Sequence, residues 1–205
     1  MKSAVLCSAV AAAALAAGWS ASAQAHGQGD WLVRAGVTMV DPKSNNHPVV
    51  NVDDDLKPSV NLAYMVTDNI AVDLLGAWPF EHDIKLNDGG ATVGSTKHLP
   101  PTLSVQWHFL PGAQFQPYVG AGLNYTTFFS ERTTGPLAGS DLSLSSSFGW
   151  ALQAGADVMF GDNFFFNVDV RKIRIRTEAR LDGAVLGPKV EIDPMVYSVM
   201  LGWRF

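Results

Sequence analysis

MVYSVMLGWRF, residues 195–205, puts Met195, Tyr197, Val199, Leu201, Trp203 and Phe205 at every second position. That is the period of a strand, whose alternate side chains share one face. The opposite face carries Val196, Ser198, Met200, Gly202 and Arg204, which are small or polar apart from the two aliphatic residues nearest its start. An alternation this apolar, running up to a terminal aromatic, is the pattern of a barrel strand with one face against lipid and the other against a lumen.

The same period recurs upstream. Strands are expected at residues 31–40, 59–66, 70–80, 99–109, 117–129, 148–160, from 164 to about 175, and 189–205. Between them the connections alternate in length. Residues 67–69, 110–115 and 161–163 are short turns carrying Asp, Asn or Pro-Gly, whereas residues 41–58, 82–97, 130–145 and 176–188 are long, polar and without strand period. Eight strands with this alternation predict an all-β, eight-stranded antiparallel transmembrane β-barrel with short periplasmic turns and long extracellular loops. Trp31, Trp78, Phe80, Trp107, Phe109, Phe129, Phe148, Phe160, Phe164, Trp203 and Phe205 fall at strand ends, as interfacial aromatic girdles require. A soluble barrel of lipocalin type would carry its apolar face inside, and here the outward faces are the greasier ones.

The seventh strand changes character along its length. Phe164, Phe166, Val168 and Val170 point outward, and then Lys172, Arg174 and Arg176 take that parity. Either the strand has risen past the lipid or it holds a bulge. The first is preferred, because a cation facing lipid at mid-membrane costs about 2–4 kcal/mol.

At the other end, Lys2 precedes an apolar run, and Ala21-Ser22-Ala23-Gln24-Ala25 supplies the small residues that signal peptidase requires. Residues 1–25 are expected to be a cleaved signal peptide, with cleavage after Ala23 as the alternative, and residues 26–205 the barrel. The lone cysteine, Cys7, leaves with the leader, so neither disulfide nor thiol chemistry is expected. Removing Lys2 from the 14 basic side chains leaves 13 against 19 acidic ones, a formal charge of −6 that argues against nucleic acid as a partner. Beyond the leader no apolar run approaches the ~18 residues of a spanning helix.

An eight-stranded barrel is just wide enough to be filled by its own side chains, so the inward faces decide what it does. Near the periplasmic turns the inward parity collects Arg34, Asp73, Gln106, Gln153, Asp157, Asp169, Arg171 and Arg204, together with Asn61 and His108. Three carboxylates facing three guanidiniums predict a polar plug, since unpaired charges there would be very costly. Towards the outer end the inward parity offers Ala77, Phe128, Ile173, Ile175 and Val196, with Leu75 and Met200 deeper. This is an apolar upper lumen. An apolar funnel closed below by charge would hold a hydrophobic solute and direct it sideways through the wall, although both layers could equally serve only as packing in a small membrane anchor.

Other candidates carry less. Asp53-Asp54-Asp55 lacks the ligand spacing and glycine of a calcium loop and reads as a solvated tip. The five histidines show no ligand spacing, so no metal and no cofactor are expected. Catalysis is not expected, because Ser104 and His108 on one strand lie about 13 Å apart, although a cross-strand arrangement stays open. Lys172, Arg174, Arg176 and Arg180 are suited to bidentate contact with lipopolysaccharide phosphates and equally to plain solvation. Asn124-Tyr125-Thr126 matches a glycosylation pattern but falls inside a strand.

VRAGVTMVDP (33–42), TKHLPPTLSVQWHF (96–109), PYVGAGLNYTTFF (117–129) and DNFFFNVDVRKI (162–173) resemble the outer membrane protein W family across the mature chain. The resemblance implies location in the outer membrane of a Gram-negative bacterium and passive passage of small hydrophobic molecules through a narrow apolar lumen. It thereby favours transport over packing alone. At Lys172, Arg174 and Arg176 it leads one to expect aromatic and acidic residues instead. Tyr197, Val199, Leu201, Trp203 and Phe205 likewise resemble the signal read by the bacterial barrel-assembly machinery. The competing reading is a structural or surface-interaction barrel acting as a receptor through its extracellular loops. The partners implied are outer-membrane lipid, lipopolysaccharide, the assembly machinery and small hydrophobic solutes.

Overall fold

The computed structural model describes residues 25–43, 47–48, 50–87 and 90–205, so the expected leader, apart from Ala25, lies outside the described residues. The described residues form sixteen strands. In chain order they are Trp31–Asp41 (β1), Val50–Val52 (β2), Asp55–Met65 (β3), Ile70–Ala77 (β4), Phe80–Leu86 (β5), Thr92–Leu99 (β6), Thr102–His108 (β7) and Phe115–Thr133 (β8). There follow Leu142–Leu144 (β9), Ser147–Phe160 (β10), Phe164–Ile173 (β11), Arg176–Thr177 (β12), Ala179–Leu181 (β13), Ala184–Val185 (β14), Val190–Glu191 (β15) and Met195–Arg204 (β16).

Eight of them close a barrel in the order β1, β3, β4, β7, β8, β10, β11, β16 and back to β1, every pairing antiparallel. Closure extends to the last residue, since Trp31 and Phe205 exchange backbone bonds of 2.8 and 3.0 Å. A closed barrel leaves no ladder edge in lipid. Its polarity is inside-out. The outward residues Leu103, Val105, Leu123, Leu152 and Leu201 are each 53–55 % exposed, while Ser104, Gln106, Asn124 and Gln153 between them are buried. A soluble barrel with a polar outside is therefore excluded. Among the described residues no helix is long and apolar enough to cross a membrane, and the strands supply the span.

β11 pairs with β10 without interruption as far as Ile173, so it holds no bulge and Lys172 continues the outward face. Trp107, Phe109, Phe160, Phe164, Trp203 and Phe205 are exposed at the periplasmic end, and Trp78 and Phe148 at the outer end. Phe80 departs from the expected girdle. It is buried in the lumen, because the break at Trp78-Pro79 between β4 and β5 resets the alternation.

The expected irregular loops prove largely regular. β5 and β6 form a hairpin that pairs with the upper part of β8, and β2 adds to β5. β9, β13 and β14 make a small sheet, and β12 pairs with β15. Beyond the lipid neither face of a hairpin must be uniformly apolar, so these strands leave no period to read. The expected strand at residues 99–109 is likewise split, with Pro100-Pro101 ending β6 and starting β7.

Candidate functional site

The lumen is layered, and the middle layer is charged. Arg34 on β1 donates from Nη2 to Asp157 Oδ2 on β10 at 2.8 Å and from Nη1 to Asn61 Oδ1 on β3 at 2.6 Å; the same Nη1 lies 3.8 Å from Asp73 Oδ2 on β4. Arg171 on β11 reaches Asp73 Oδ1 at 3.0 Å and Asp169 Oδ1 at 2.6 Å. Asp169 Oδ2 accepts from the Tyr118 hydroxyl at 2.8 Å. Asn167 Nδ2 donates to that hydroxyl at 3.0 Å and to Asp157 Oδ1 at 2.7 Å. The circuit closes on itself across the barrel. Two guanidiniums meet three carboxylates, and the remaining acceptor capacity is met by Tyr118, Asn167, Asn61 and His26, whose Nε2 lies 3.1 Å from Asp157. The Tyr118 and Phe165 rings lie 5.7 and 5.4 Å from the Arg34 guanidinium carbon, adding cation–π contact.

Arg34, Asp73, Asp157, Asp169 and Arg171 are thus brought together. Arg204 is not. It lies at the periplasmic rim, bonded to the carbonyls of Ala25 and of Asp162 (2.9 Å) and 3.5 Å from Asp30, because its position at the end of β16 lies below the layer. Gln106 Oε1 accepts from His108 Nε2 at 3.2 Å, while both amide atoms of Gln153 lack a hydrogen-bond partner among the described residues. The His108 hydrogen bond goes to Gln106, and Ser104 Oγ has none, so the two do not form a nucleophile–base pair. Among the described residues no group of three His, Cys, Asp or Glu side chains could hold a metal.

The plug is not the floor. Beneath the charged layer Leu32, Ala63, Met65, Ala71, Met159 and Phe165 form a second apolar cluster, which His26 caps edge-on to Phe165 at 4.5 Å. Gly202 makes room for it, since a Cβ there would sit 2.2 Å from the Phe165 ring. The even parity of Leu32 and the odd parity of Phe165 already point these residues inward. His26, ahead of the first strand, carries no such signal.

Above the charge, Phe128, Ile173, Ile175 and Val196 pack with Val40, Phe80, Ala151, Ala179, Val190 and Ile192, and Ala77 lies against them. Leu75 and Met200 are buried but outside this cluster. The cluster continues into a cavity of about 640 Å³ at the outer mouth, lined by Val50, Leu86, Val93, Leu137, Leu181, Val185 and Leu186 among others. Ala179 and Val190 belong to both. On one side the buried cluster is walled by His82 and His98, stacked 4.8 Å apart, with its members Phe80 and Phe128 5.6 and 5.8 Å from His98. These rings stand above the outer girdle. Burial, reinforced by His82, pushes His98 down to about 3, and burial likewise lowers His82, so the wall is uncharged at neutral pH.

The OmpW family model matches residues 27–205. Outer membrane protein W of Vibrio cholerae is 42 % identical over 209 residues, covering 94 % of this chain and 96 % of that protein. The dibenzothiophene metabolism operon protein PahQ of Pseudomonas aeruginosa is 28 % identical over 123 residues, covering 57 % of this chain and 54 % of its own. The crystal structure of OprG from Pseudomonas aeruginosa superposes with a TM-score of 0.80 at 31 % identity, covering 89 % of this chain and 99 % of that one. The solution structure of Escherichia coli outer membrane protein W gives 0.65 at 36 % identity, covering 88 % and 100 %. A closed eight-stranded barrel with this match along its length is an outer-membrane protein, and the chain belongs to the OmpW family.

Proposed function

We propose that the barrel gives small hydrophobic molecules passive passage from the cell surface into the outer membrane. The observation that carries this reading is the continuity of the mouth cavity with the buried cluster through Ala179 and Val190, so that an apolar solute meets an apolar lining from the rim down to Ile173 and Val196. The charged circuit below removes the axial route. Its members are bonded to one another, and passing an apolar molecule would mean breaking bonds that nothing replaces.

Exit is then lateral. The β4–β7 ladder stops at Leu75↔Thr102, and the β5–β6 ladder resumes only at Phe80↔His98. Between them lie Trp78-Pro79 and Pro100-Pro101, whose prolines have no N–H to give. The wall parts there without breaking a ladder. The Pro100 and Pro101 carbonyls are held from the other side, by Asn124 Nδ2 at 3.2 and 3.1 Å, with Thr102 Oγ1 also donating to Pro100 O at 3.2 Å and the Tyr125 N–H to Pro101 O at 3.1 Å. The operon named for PahQ metabolises an apolar aromatic compound, which supports a solute of that class.

The test is uptake of naphthalene by cells lacking the protein and by cells restored with wild type or with Ile173→Asp, Ile175→Asp. Faster uptake with wild type that the double variant abolishes is the expected result. Equal uptake by three strains with assembled barrels would overturn the conduit and turn attention to the extracellular loops. Residues 1–25 as a leader and Tyr197, Val199, Leu201, Trp203 and Phe205 as an assembly signal belong to the same reading. All five of those side chains lie on the outward parity of β16 and the residue that follows it.

A further inference from the structure

A groove of about 570 Å³ climbs the outer wall where β10 and β11 diverge. Their ladder ends at Ala151↔Ile173, and above it the next bond is from Arg174 N–H to Trp150 O at 2.9 Å. The apolar lining is Leu123, Phe148 and Trp150, all exposed on the lipid-facing side; the cationic lining is Arg174, Arg176 and Lys189. No carboxylate lines it. Arg176 is held by Glu191 at 3.1 Å and Asp193 at 3.5 Å, whereas Arg174 and Lys189 are exposed with no carboxylate in ion-pair reach among the described residues. Elsewhere on the outer extensions Lys57 is paired with Asp55, Lys97 with Glu81 and Arg180 with Glu178, so Arg180 is not part of this set.

We propose that this groove seats a phosphate of lipopolysaccharide. The argument is one of height and charge. Phe148 and Trp150 mark the outer edge of the lipid-facing band, and Arg174, bonded to the Trp150 carbonyl, and Arg176, whose N–H reaches Ser147 Oγ at 2.9 Å, stand beside them at that edge on the same outward parity. In the outer leaflet that is the level at which lipid A carries its phosphates, directly over its acyl chains. Arg174 supplies a planar fork matched to phosphate oxygens and Lys189 a mobile ammonium, while the aromatic rings meet the acyl roots. Arg174 and Lys189 take an anion without breaking an ion pair, although Glu191, which holds Arg176, acts on Arg174 at longer range. The groove lies outside the barrel and does not depend on what passes through the lumen.

The experiment measures binding of bisphosphorylated lipid A to the full barrel in a maltoside detergent by native mass spectrometry. Each variant is first shown to be assembled by its heat-modifiable electrophoretic mobility. Arg174→Ala with Lys189→Ala is expected to weaken binding at least tenfold, to the level wild type shows for dephosphorylated lipid A. Arg174→Lys retains most of the affinity, and Arg132→Ala, which removes an exposed cation away from the groove, changes nothing. If the double variant does not assemble, Lys189→Gln in its exposed connection carries the test, with an expected loss of about threefold. Undiminished binding by an assembled groove variant would overturn the proposal. So would phosphatidylglycerol binding as tightly as lipid A, which would make the contact one with anionic lipid at large.

Discussion

Arg34 is 1 % exposed inside a barrel only wide enough for side chains, and its partners alone make that charge tolerable. Replacing it with Met keeps the length but leaves Asp157 and Asp73 facing each other without a cation at that point. The expected cost is about 3–5 kcal/mol, as for other broken buried pairs, read as a lowered urea midpoint in lipid vesicles. Arg180→Ala, whose pair with Glu178 stands in solvent, is expected to leave the midpoint unchanged. Parity alone places Arg34, Asp73, Asp157, Asp169 and Arg171 inward, and Tyr118 and Asn167 follow from the same alternation. Which of them meet is another matter. Arg34 and Asp157 lie 123 residues apart on strands that are not neighbours, and only the curvature of the closed wall brings β1 opposite β10.

The β5–β6 hairpin is the element whose behaviour depends most on pH. His82 and His98 are kept neutral by burial, with His98 lowered to about 3 from its ordinary 6.5. Opened or unfolded, these rings bind protons that the packed state does not, so the packed state loses stability as pH falls from about 6.5 towards 3 and is fully stable above that window. Asp53, Asp54, Asp55 and Lys57 are the charged groups acting on His82, and Asp55 also acts on His98. Amide hydrogen exchange in residues 80–99, corrected for its intrinsic pH dependence, is expected to speed up at pH 4.5 relative to pH 7.5. With both histidines replaced by Phe the difference should vanish. The membrane strands were legible because lipid imposes one apolar face on each of them, whereas the hairpin above them answers to no such demand, and Phe80 was misplaced by the proline that resets its parity.

On the scale of the whole molecule the proposed conduit is a funnel with a closed floor and a seam in its side. Asn124 on β8 anchors one side of that seam, donating to both proline carbonyls and to Thr102 Oγ1 at 3.0 Å. Asn124→Leu removes one of two donors from each carbonyl, since Thr102 Oγ1 still reaches Pro100 O at 3.2 Å and the Tyr125 N–H still reaches Pro101 O at 3.1 Å, at a cost of about 1 kcal/mol. An assembled Asn124→Leu barrel is therefore expected to have a lower urea midpoint and to pass naphthalene several-fold faster. Unchanged uptake in that variant would place the exit elsewhere.

The sequence by itself determined the number of membrane-crossing strands, their direction and which side of each faces lipid, because a bilayer enforces a period of two on every strand that crosses it. It also determined that charge sits below apolar residues in the lumen. Tertiary structure alone decided that the charges close into a circuit without Arg204, that His26 caps the apolar layer beneath them, and that the outer connections fold into an apolar mouth. Those outcomes rest on contacts between strands distant in the chain and on backbone pairing outside the lipid, and neither leaves a periodic trace in the order of residues.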